Sequence, residues 1–319
     1  MGKVAFIFPG QGAQFVGMGK DFYENFSVSR EIFERANKSL GFNISKLCFE
    51  GPEEELVKTE NTQPAILATS IAMYKALEEE GIGFQYTAGL SLGEYTSLVS
   101  ANALSLEEAL PLVKKRGKLM QETVPLGKGG MVAILGLEEE KVKEAIKKVN
   151  GFGIVEIANY NSPGQIVISG EVEALKIAAD EAKNLGARKV VFLPVSAPFH
   201  SSLLEPAGEK LKEELEKVQI NSLEKIVVNN VDAKAMEDSS DIIPSLVRQV
   251  SNSVLWCDSV NTMLDRGVDT FVEIGPGKSL TGFVKRTAKA RGEKVNTLNI
   301  SSIEDFQKSL EFFNGEGEI

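Results

Sequence analysis

A serine held between two glycines, where a predicted strand meets a predicted helix, constrains this chain more than any other feature. Residues 89–93 read Gly-Leu-Ser-Leu-Gly; the apolar run over 84–90 predicts a short strand, and residues 94–100 predict a helix. A nucleophile elbow needs this arrangement, because its turn is so tight that the residues two before and two after the serine must be small. The pentapeptide also occurs by chance in ordinary turns, but its strand–helix context favours Ser91 as a nucleophile.

A serine hydroxyl becomes a good nucleophile only beside a base, and the chain contains one histidine, His200. Imidazole, with an ordinary pKa of about 6.5, is the usual proton acceptor at neutral pH. A lone histidine more often has a structural role. His200, however, follows Ser91 in the chain order that elbow enzymes use, and Pro194 and Pro198 restrain the loop before it. Asp180 and Glu181 lie between them but resemble an exposed helix face. The group that orients the ring is therefore either one of these acids or a backbone carbonyl.

Apolar periodicity predicts an α/β protein whose middle differs from its two ends. Near the start, a strand over 4–8, a helix over 64–80 and the strand over 84–90 follow one another, an alternation typical of a parallel sheet. Residues 125–195 instead give the order strand, helix, strand, strand, helix, strand, which is that of a ferredoxin-like unit. The elements predicted within it cover 131–135, 138–149, 154–159, 165–169, 171–185 and 189–195.

We therefore predict two domains, a large one from 1–124 and 196–319 and a small one, 125–195, inserted into it. After the insertion the first pattern returns. It predicts a helix over 203–218, strands over 226–228 and 270–272, and an edge strand over 297–300. One short helix is expected after Ser301, and the Gly-Glu-Gly-Glu end of the chain is expected to fray.

Charge excludes some classes of function and suggests one kind of partner. With 35 basic and 45 acidic residues the chain has a net charge of −10, which argues against a general nucleic-acid binder. Residues 278–294 nevertheless carry six basic residues and one acid. They form either a solvated helix face or a docking surface for an acidic partner, with Lys285 and Arg286 near its centre, and a second basic run at 114–118 favours docking. Arg116 is either a surface residue of that run or a fork that binds a carboxylate.

Other site classes find no support in the sequence. The glycines of 10–12 and 275–279 lack the further glycines that dinucleotide and phosphate loops require. Cys48 and Cys257 have neither metal-ligand spacing nor a disulfide framework, and the first apolar run is too short for a signal peptide. We therefore expect no metal, no cofactor, no membrane contact, and a location in the reducing cytoplasm.

Seven segments, taken in order, resemble one family: the malonyl-CoA:acyl carrier protein transacylases of fatty acid synthesis. They cover residues 8–14, 89–95, 115–117, 158–165, 194–200, 228–232 and 273–278. The resemblance extends over nearly the whole chain and implies an α/β-hydrolase-like parallel-sheet core with an inserted ferredoxin-like domain. It implies malonyl-CoA and acyl carrier protein as partners. Both thioesters are substrates, so no cofactor is needed. Many members have His before the nucleophile, where this chain has Leu90.

The resemblance also assigns the reacting groups. It implies that Ser91 is the nucleophile and His200 the base, with the backbone N–H groups of Gln11 and Leu92 as the oxyanion hole. The backbone carbonyl of Gln249 would accept from the second ring nitrogen of His200, in place of an acid. The malonyl group would pass from coenzyme A to Ser91, and from there to the phosphopantetheine thiol of the carrier protein.

Further implied residues would contact the substrate. Arg116 would hold the malonyl carboxylate, and Asn161 and Gln165 would border the acyl or pantetheine pocket. In the related polyketide acyltransferase domains, Phe before the catalytic His accompanies malonyl and Ser accompanies methylmalonyl, so Phe199 favours malonyl. One methyl group in an apolar pocket is worth only about 1–3 kcal/mol, so we expect preference rather than exclusivity.

Three alternatives remain open at the level of sequence. A serine hydrolase or thioesterase would use the same Ser91–His200 pair with water as acceptor. A polyketide acyltransferase acting in trans would serve a different carrier protein. A catalytically silent carrier-binding module would need neither residue, and the intact pair argues against it.

Overall fold

Two β-sheets carry the fold of the described residues, which are 2–149 and 151–315 in this computed structural model. The strands are β1 (Lys3–Phe8), β2 (Tyr86–Gly89), β3 (Gly129–Leu135), β4 (Val155–Ser162), β5 (Gln165–Glu171), β6 (Lys189–Phe192), β7 (Ile226–Val228), β8 (Ala235–Met236), β9 (Val268–Ile274) and β10 (Asn296–Ile300). The helices are α1 (Lys20–Asn25), α2 (Ser27–Leu40), α3 (Ile44–Glu50), α4 (Glu53–Leu56), α5 (Thr59–Glu79), α6 (Leu92–Ser100), α7 (Leu106–Glu122), α8 (Glu139–Lys147), α9 (Val172–Asn184), α10 (Glu205–Leu215), α11 (Ile242–Gln249), α12 (Trp256–Asp265), α13 (Ser279–Arg291) and α14 (Ile303–Asn314).

The larger sheet is parallel except at one edge. Its strand order is β10-β9-β1-β2-β7-β8, and β8 runs antiparallel to β7. Side chains of β1 are buried on both faces: Phe6 and Phe8 pack with α2 and α5, and Ala5 and Ile7 pack with α12 and α13. Burial on both faces explains why these strands are continuous apolar runs. In open sheets of this kind, ligands bind at the carboxyl ends of the strands.

The smaller sheet has the order β4-β5-β3-β6, and every neighbouring pair is antiparallel. Apolar side chains of α8 and α9 form a separate core with one face of it. The element order β3-α8-β4-β5-α9-β6 confirms the order predicted for this segment. Strand β4 joins the larger part of the molecule through the backbone, since Tyr160 N donates to Val254 O at 3.0 Å and Val254 N donates to Ala158 O at 2.8 Å.

Periodicity predicted the strands better than the helices. The edge strand is confirmed as β10, and the short helix after Ser301 as α14. The helix predicted over 203–218 is shorter, because a 3-10 turn at Ser202–Leu204 precedes its first residue, Glu205. Helices α1–α4, α7, α11 and α12 had no prediction. Of the end expected to fray, Gly315 caps α14 and residues 316–318 lie outside the described residues.

Candidate active site

Ser91 lies at the carboxyl end of β2, in the turn that leads into α6. Its backbone has φ 54° and ψ −104°, a conformation that costs a non-glycine residue of order 1–3 kcal/mol and persists only where the surroundings impose it. The flanking glycines have no room for a side chain. A Cβ on Gly89 would lie 2.0 Å from the carbonyl carbon of Gly93, and one on Gly93 would lie 2.2 Å from Phe8 O. The turn therefore has the close backbone packing of a nucleophile elbow.

His200 faces this turn from the loop that follows the smaller sheet. Its Nε2 lies 2.8 Å from Ser91 Oγ, and its Nδ1 lies 2.7 Å from the backbone carbonyl oxygen of Gln249. Because a carbonyl oxygen can only accept, Nδ1 carries the proton and Nε2 is free to accept from the serine hydroxyl. The structure thus brings together three predicted site residues from distant parts of the chain.

Burial controls the protonation of His200. The pKa of His200 is lowered to about 4, mainly because the ring is buried and also because the nearby Arg116 charge disfavours the imidazolium. The ring is therefore neutral at pH 7 and able to take a proton. An imidazolium formed during a reaction would be unfavourable here, so the ring would readily return its proton to a leaving group.

Arg116 is a buried residue, so the surface alternative for it is wrong. Its side chain is 1% exposed. It donates from one terminal nitrogen to Gln63 Oε1 at 2.8 Å, and from the other to Ser91 Oγ and Gln249 Oε1, both at 3.0 Å. The guanidinium carbon lies 5.3 Å from the ring centre of Tyr95, a cation–π distance.

The charge of Arg116 is only weakly compensated. Its three hydrogen-bond partners are all neutral, and Nε has no partner among the described residues. Glu94 is linked to it through Gln249, whose amide nitrogen donates to Glu94 Oε2 at 2.7 Å. A buried cation in such surroundings favours an anionic ligand, which would replace the missing charge partner.

The sequence analysis missed three residues that contact this site: Gln63, Glu94 and Asn230. Glu94 is fully buried on α6, and burial raises the pKa of its carboxyl to about 7 despite the hydrogen bonds it accepts. Asn230 follows β7 and is also fully buried. Two signals were available for Glu94: it is the one charged residue of α6, and it lies in the segment 89–95 that carries the family resemblance. Asn230 lies in the segment 228–232, which carries the family resemblance but was given no role, and nothing local distinguishes Gln63.

The two predicted oxyanion donors lie in the elbow itself and in the loop that packs against it. Leu92 is the first residue of α6, and Gln11 lies in the loop after β1. This loop packs closely on the elbow, because a Cβ on Gly10 would lie 2.4 Å from Leu90 O. Among the described residues, neither the N–H of Gln11 nor that of Leu92 donates a hydrogen bond.

Three further predicted site residues, Phe199, Asn161 and Gln165, have different surroundings. Phe199 is 7% exposed and directly precedes His200. Asn161 is buried on β4, and its Oδ1 has no hydrogen-bond partner in the described part of the chain. Gln165 instead accepts a 3.0 Å hydrogen bond from Arg286, which also donates to Ser162 Oγ at 2.9 Å. Arg286 thus bridges α13 and the smaller sheet, a contact that the sequence did not predict.

A cleft of about 680 Å³ has Gln11 in its lining. Side-chain hydrogen bonds connect four residues of its lining: Gln11 donates to Thr59 at 3.3 Å, Thr59 to Gln121 at 3.2 Å, and Gln121 to Ser196 at 3.1 Å. The apolar side chains in its lining are Val57, Leu126, Leu193, Pro194 and Val195. A mostly apolar lining with a few polar groups is typical of small-molecule sites.

The described residues lack the features of several other site classes. In 2–149 and 151–315, no three His, Cys, Asp or Glu side chains are grouped to hold a metal ion. None of the helices described is long and apolar enough to cross a membrane. Cys48 and Cys257 are free thiols, the first buried and the second partly buried.

This fold and this site define an acyl transferase. The family model for the acyl transferase domain matches residues 5–316. Among curated relatives, the malonyl CoA-acyl carrier protein transacylase of Bacillus subtilis (strain 168) is 44% identical over 319 residues, covering 100% of this chain and 99% of the relative. The Escherichia coli (strain K12) protein of the same name is 42% identical over 306 residues, covering 96% and 97%.

Solved structures agree with these relatives. The malonyl CoA-acyl carrier protein transacylase from Clostridium perfringens ATCC 13124 matches with a TM-score of 0.94 and 49% identity over 98% of each chain. A malonyl-transacylase in complex with a type II polyketide synthase acyl carrier protein matches with a TM-score of 0.93 and 41% identity, covering 97% of this chain and 99% of that one. The chain belongs to the malonyl CoA-acyl carrier protein transacylase family, as its ordered segments predicted.

Proposed function

We propose that this chain transfers a malonyl group from malonyl-CoA to the phosphopantetheine thiol of acyl carrier protein, through a malonyl ester on Ser91. One observation carries the proposal: Ser91 Oγ lies 2.8 Å from His200 Nε2 and 3.0 Å from a buried guanidinium nitrogen of Arg116. A nucleophile, its base and a cation for the substrate carboxylate therefore meet at one atom. The names of the relatives describe this same reaction.

In the first half of the reaction, His200 Nε2 takes the proton of Ser91 as Oγ attacks the thioester carbon. The negative charge then develops on the thioester oxygen, where the N–H groups of Gln11 and Leu92 would stabilise it. Loss of one such donor typically costs about 3–4 kcal/mol of transition-state stabilisation. His200 returns the proton to the departing coenzyme A thiolate, and the Gln249 carbonyl holds the ring in the correct tautomer throughout.

In the second half the same groups work in reverse. The carrier-protein thiol enters, His200 removes its proton, and the thiolate attacks the ester carbon on Ser91. The tetrahedral intermediate collapses with return of the proton to Ser91 Oγ, which releases the malonyl thioester. This is covalent ping-pong catalysis, and it calls for neither a metal nor a cofactor.

Arg116 would select acyl groups that end in a carboxylate. Within the described part of the chain, its guanidinium donates only to neutral oxygens and its Nε has no hydrogen-bond partner. A malonyl carboxylate would exchange these neutral contacts for charge-assisted hydrogen bonds, which are roughly twice as strong. The buried ring of Phe199, next to the base, would limit room for a methyl branch, and Asn161 and Gln165 would border the acyl or pantetheine pocket.

The finer description of the fold is also part of the proposal. We infer that the larger sheet is an α/β-hydrolase-like core of residues 1–124 and 196–319, and that residues 125–195 form a ferredoxin-like domain. The nucleophile turn after β2 supports the first assignment. The strand order β4-β5-β3-β6, with α8 and α9 on one face, supports the second.

The partner surface and the location follow from the same reasoning. We propose that exposed Lys285 on α13 contributes to docking of the acidic carrier protein, while Arg286 is largely engaged with Ser162 and Gln165. A cytoplasmic location is supported by two cysteines that remain free thiols. A carrier protein of a type II polyketide synthase is a second candidate acceptor, because one structural neighbour is bound to such a protein.

Intact-protein mass spectrometry tests the proposal. After brief exposure to malonyl-CoA, the chain should gain the mass of one malonyl group, and the Ser91→Ala variant should gain none. Adding carrier protein should remove the adduct and move it to the carrier. Release of free malonate without carrier protein, at the same rate as transfer to the carrier, would instead support a hydrolase. An adduct that persists in Ser91→Ala would exclude Ser91 as the nucleophile.

A further inference from the structure

The nucleophile turn is supported differently on its two sides. Toward β1 the support is ordinary backbone pairing: the ladder reaches Phe8 and Gly89, and Leu90 N donates to Phe8 O at 3.0 Å. Toward β7 the ladder ends at Ala88 and Val228. The backbone of the turn is thus left without strand pairing on that side at the point where Ser91 must be held.

The side chain of Asn230 occupies this gap. Its amide nitrogen donates to Gly89 O at 2.8 Å, and its amide oxygen accepts from Ser91 N at 2.7 Å. An amide side chain offers the same donor and acceptor pair as a backbone peptide. Asn230 therefore continues the ladder with its side chain, around a serine whose φ of 54° requires such restraint.

Asn230 is itself fixed from several directions. It is 0% exposed. Its backbone N–H donates to Glu94 Oε2 at 3.0 Å, and its carbonyl accepts from Leu255 N at 2.8 Å. Glu94 Oε2 also accepts from the side chain of Gln249, and that same amide nitrogen donates to Ser91 O at 3.0 Å. One buried carboxyl thus joins the residue that holds the turn to the residue whose backbone carbonyl orients His200.

We propose that Asn230 is a positioning residue for the acyl transfer: its side-chain amide holds the Ser91 turn in register with His200, and Glu94 locks Asn230 and Gln249 together. The inference rests on the proposed role of Ser91 as nucleophile. Asn230 is assigned no contact with the acyl group, so its loss should slow the chemical step without weakening substrate binding. A displacement of about 1 Å in a reacting group is enough to slow a reaction roughly 100-fold.

Single-turnover acylation by malonyl-CoA, without carrier protein, separates rate from binding. For Asn230→Ala we expect the maximal rate of malonyl-Ser91 formation to fall about 100-fold, with a half-saturating concentration within about threefold of the parent value. The matched control is Asn229→Ala. Asn229 is also buried, but its side chain pairs with Asp232 and Lys234 instead of Ser91, so this variant should acylate within about threefold of the parent. Thermal unfolding of both variants confirms that each is folded.

The possible results distinguish failure of the positioning role from failure of the proposed function. Acylation of Asn230→Ala within about threefold of the parent, or an equal loss in Asn229→Ala, would overturn the positioning role while leaving the proposed function intact. A parent protein that is never acylated on Ser91 would overturn the proposed function and this inference with it. If Asn230→Ala does not fold, Asn230→Ser takes its place; its hydroxyl is too short to bridge Gly89 and Ser91, and the same loss is expected.

Two replacements of Glu94 provide a second, independent test of the proposal. In Glu94→Gln the amide oxygen can still accept from Asn230 N and Gln249 Nε2, so most of the acylation rate should remain. Glu94→Leu, of similar size, removes the acceptor and should reproduce the loss seen in Asn230→Ala. Equal rates in the two Glu94 variants would contradict the proposed lock.

Discussion

Two regions of the molecule hold their polar groups differently. One region surrounds Ser91, and the other lies where α13 meets the smaller sheet. Around Ser91 the side chains are buried and interlocked, so that Arg116, Gln249 and Glu94 each contact at least two neighbours. On α13, Lys285 is exposed, and Arg286 is held by two neutral side chains. Buried networks are sensitive to the loss of any member, whereas exposed charges are screened and contribute little individually.

This contrast separates the chemistry from the choice of partner. The buried groups have fixed positions, which a reaction between defined atoms requires. The exposed groups act mainly on the rate at which a charged partner is captured, and that effect falls with salt. Changes in the first region should therefore have large effects that depend on the substrate. Changes in the second should have small effects that depend on ionic strength.

Removal of Arg116 should give the largest effect. In Arg116→Ala, malonyl transfer should fall roughly 100-fold or more, since loss of hydrogen bonds to a charged group costs about 3 kcal/mol. Acetyl transfer, which needs no cation, should change less than about tenfold. Steady-state transfer from malonyl-CoA and acetyl-CoA measures both. Lys115→Ala is the control, since it removes an outward-facing charge one residue away; equal losses for both acyl groups in Arg116→Ala would show that the residue is only structural.

The pH dependence of acylation should show how strongly burial acts on His200. Its pKa is lowered to about 4 in the folded protein, and the neutral ring is the active form. The acylation rate should therefore stay level as pH falls from 8 to about 5, and then drop tenfold per unit below about 4. Rapid mixing from neutral pH, with mass detection of the adduct, measures this limb before the protein can unfold.

Glu94 needs a control in that experiment, because burial places the pKa of its carboxyl at about 7. The Glu94→Gln variant removes that titration, and its acid limb should coincide with that of the parent. A half-maximal rate near pH 6.5 in both proteins would mean that His200 titrates like an exposed histidine. The buried site would then be more open to water than its geometry indicates.

The sequence predicted part of the site. The residues that it predicted are those whose roles depend on nearby residues in the chain. The Gly-Leu-Ser-Leu-Gly segment predicts its own turn, because both glycines are required by contacts within a few residues or with the adjacent strand. His200 was identifiable because the chain has no other histidine. The fold followed similarly, with strands predicted from continuous apolar runs and the order of the smaller sheet from their spacing.

The roles of Asn230 and Gln63 could not be predicted, although Asn230 lies in the resembling segment 228–232, because they depend on contacts between distant segments. Asn230 is 139 residues from Ser91, and Gln63 is 53 residues from Arg116. The same limit applies to Arg286. It appeared to be one of several equivalent basic residues, and only the packing of α13 against β4 and β5 shows its engagement with Ser162 and Gln165.

Lys285 should show the smallest effect, and it provides the cleaner test of docking. Arg286→Glu would also break the contacts with Ser162 and Gln165, so a loss of activity there would have two explanations. Lys285→Glu should lower the kcat/KM for carrier protein a few-fold at low salt, while malonyl-Ser91 formation from malonyl-CoA stays unchanged. The difference should shrink as ionic strength rises above about 0.15 M, where the screening length is about 8 Å. Lys176→Glu, an exposed charge change on α9, should have no such effect; equal rates for it and Lys285→Glu at low salt would remove α13 from the docking surface.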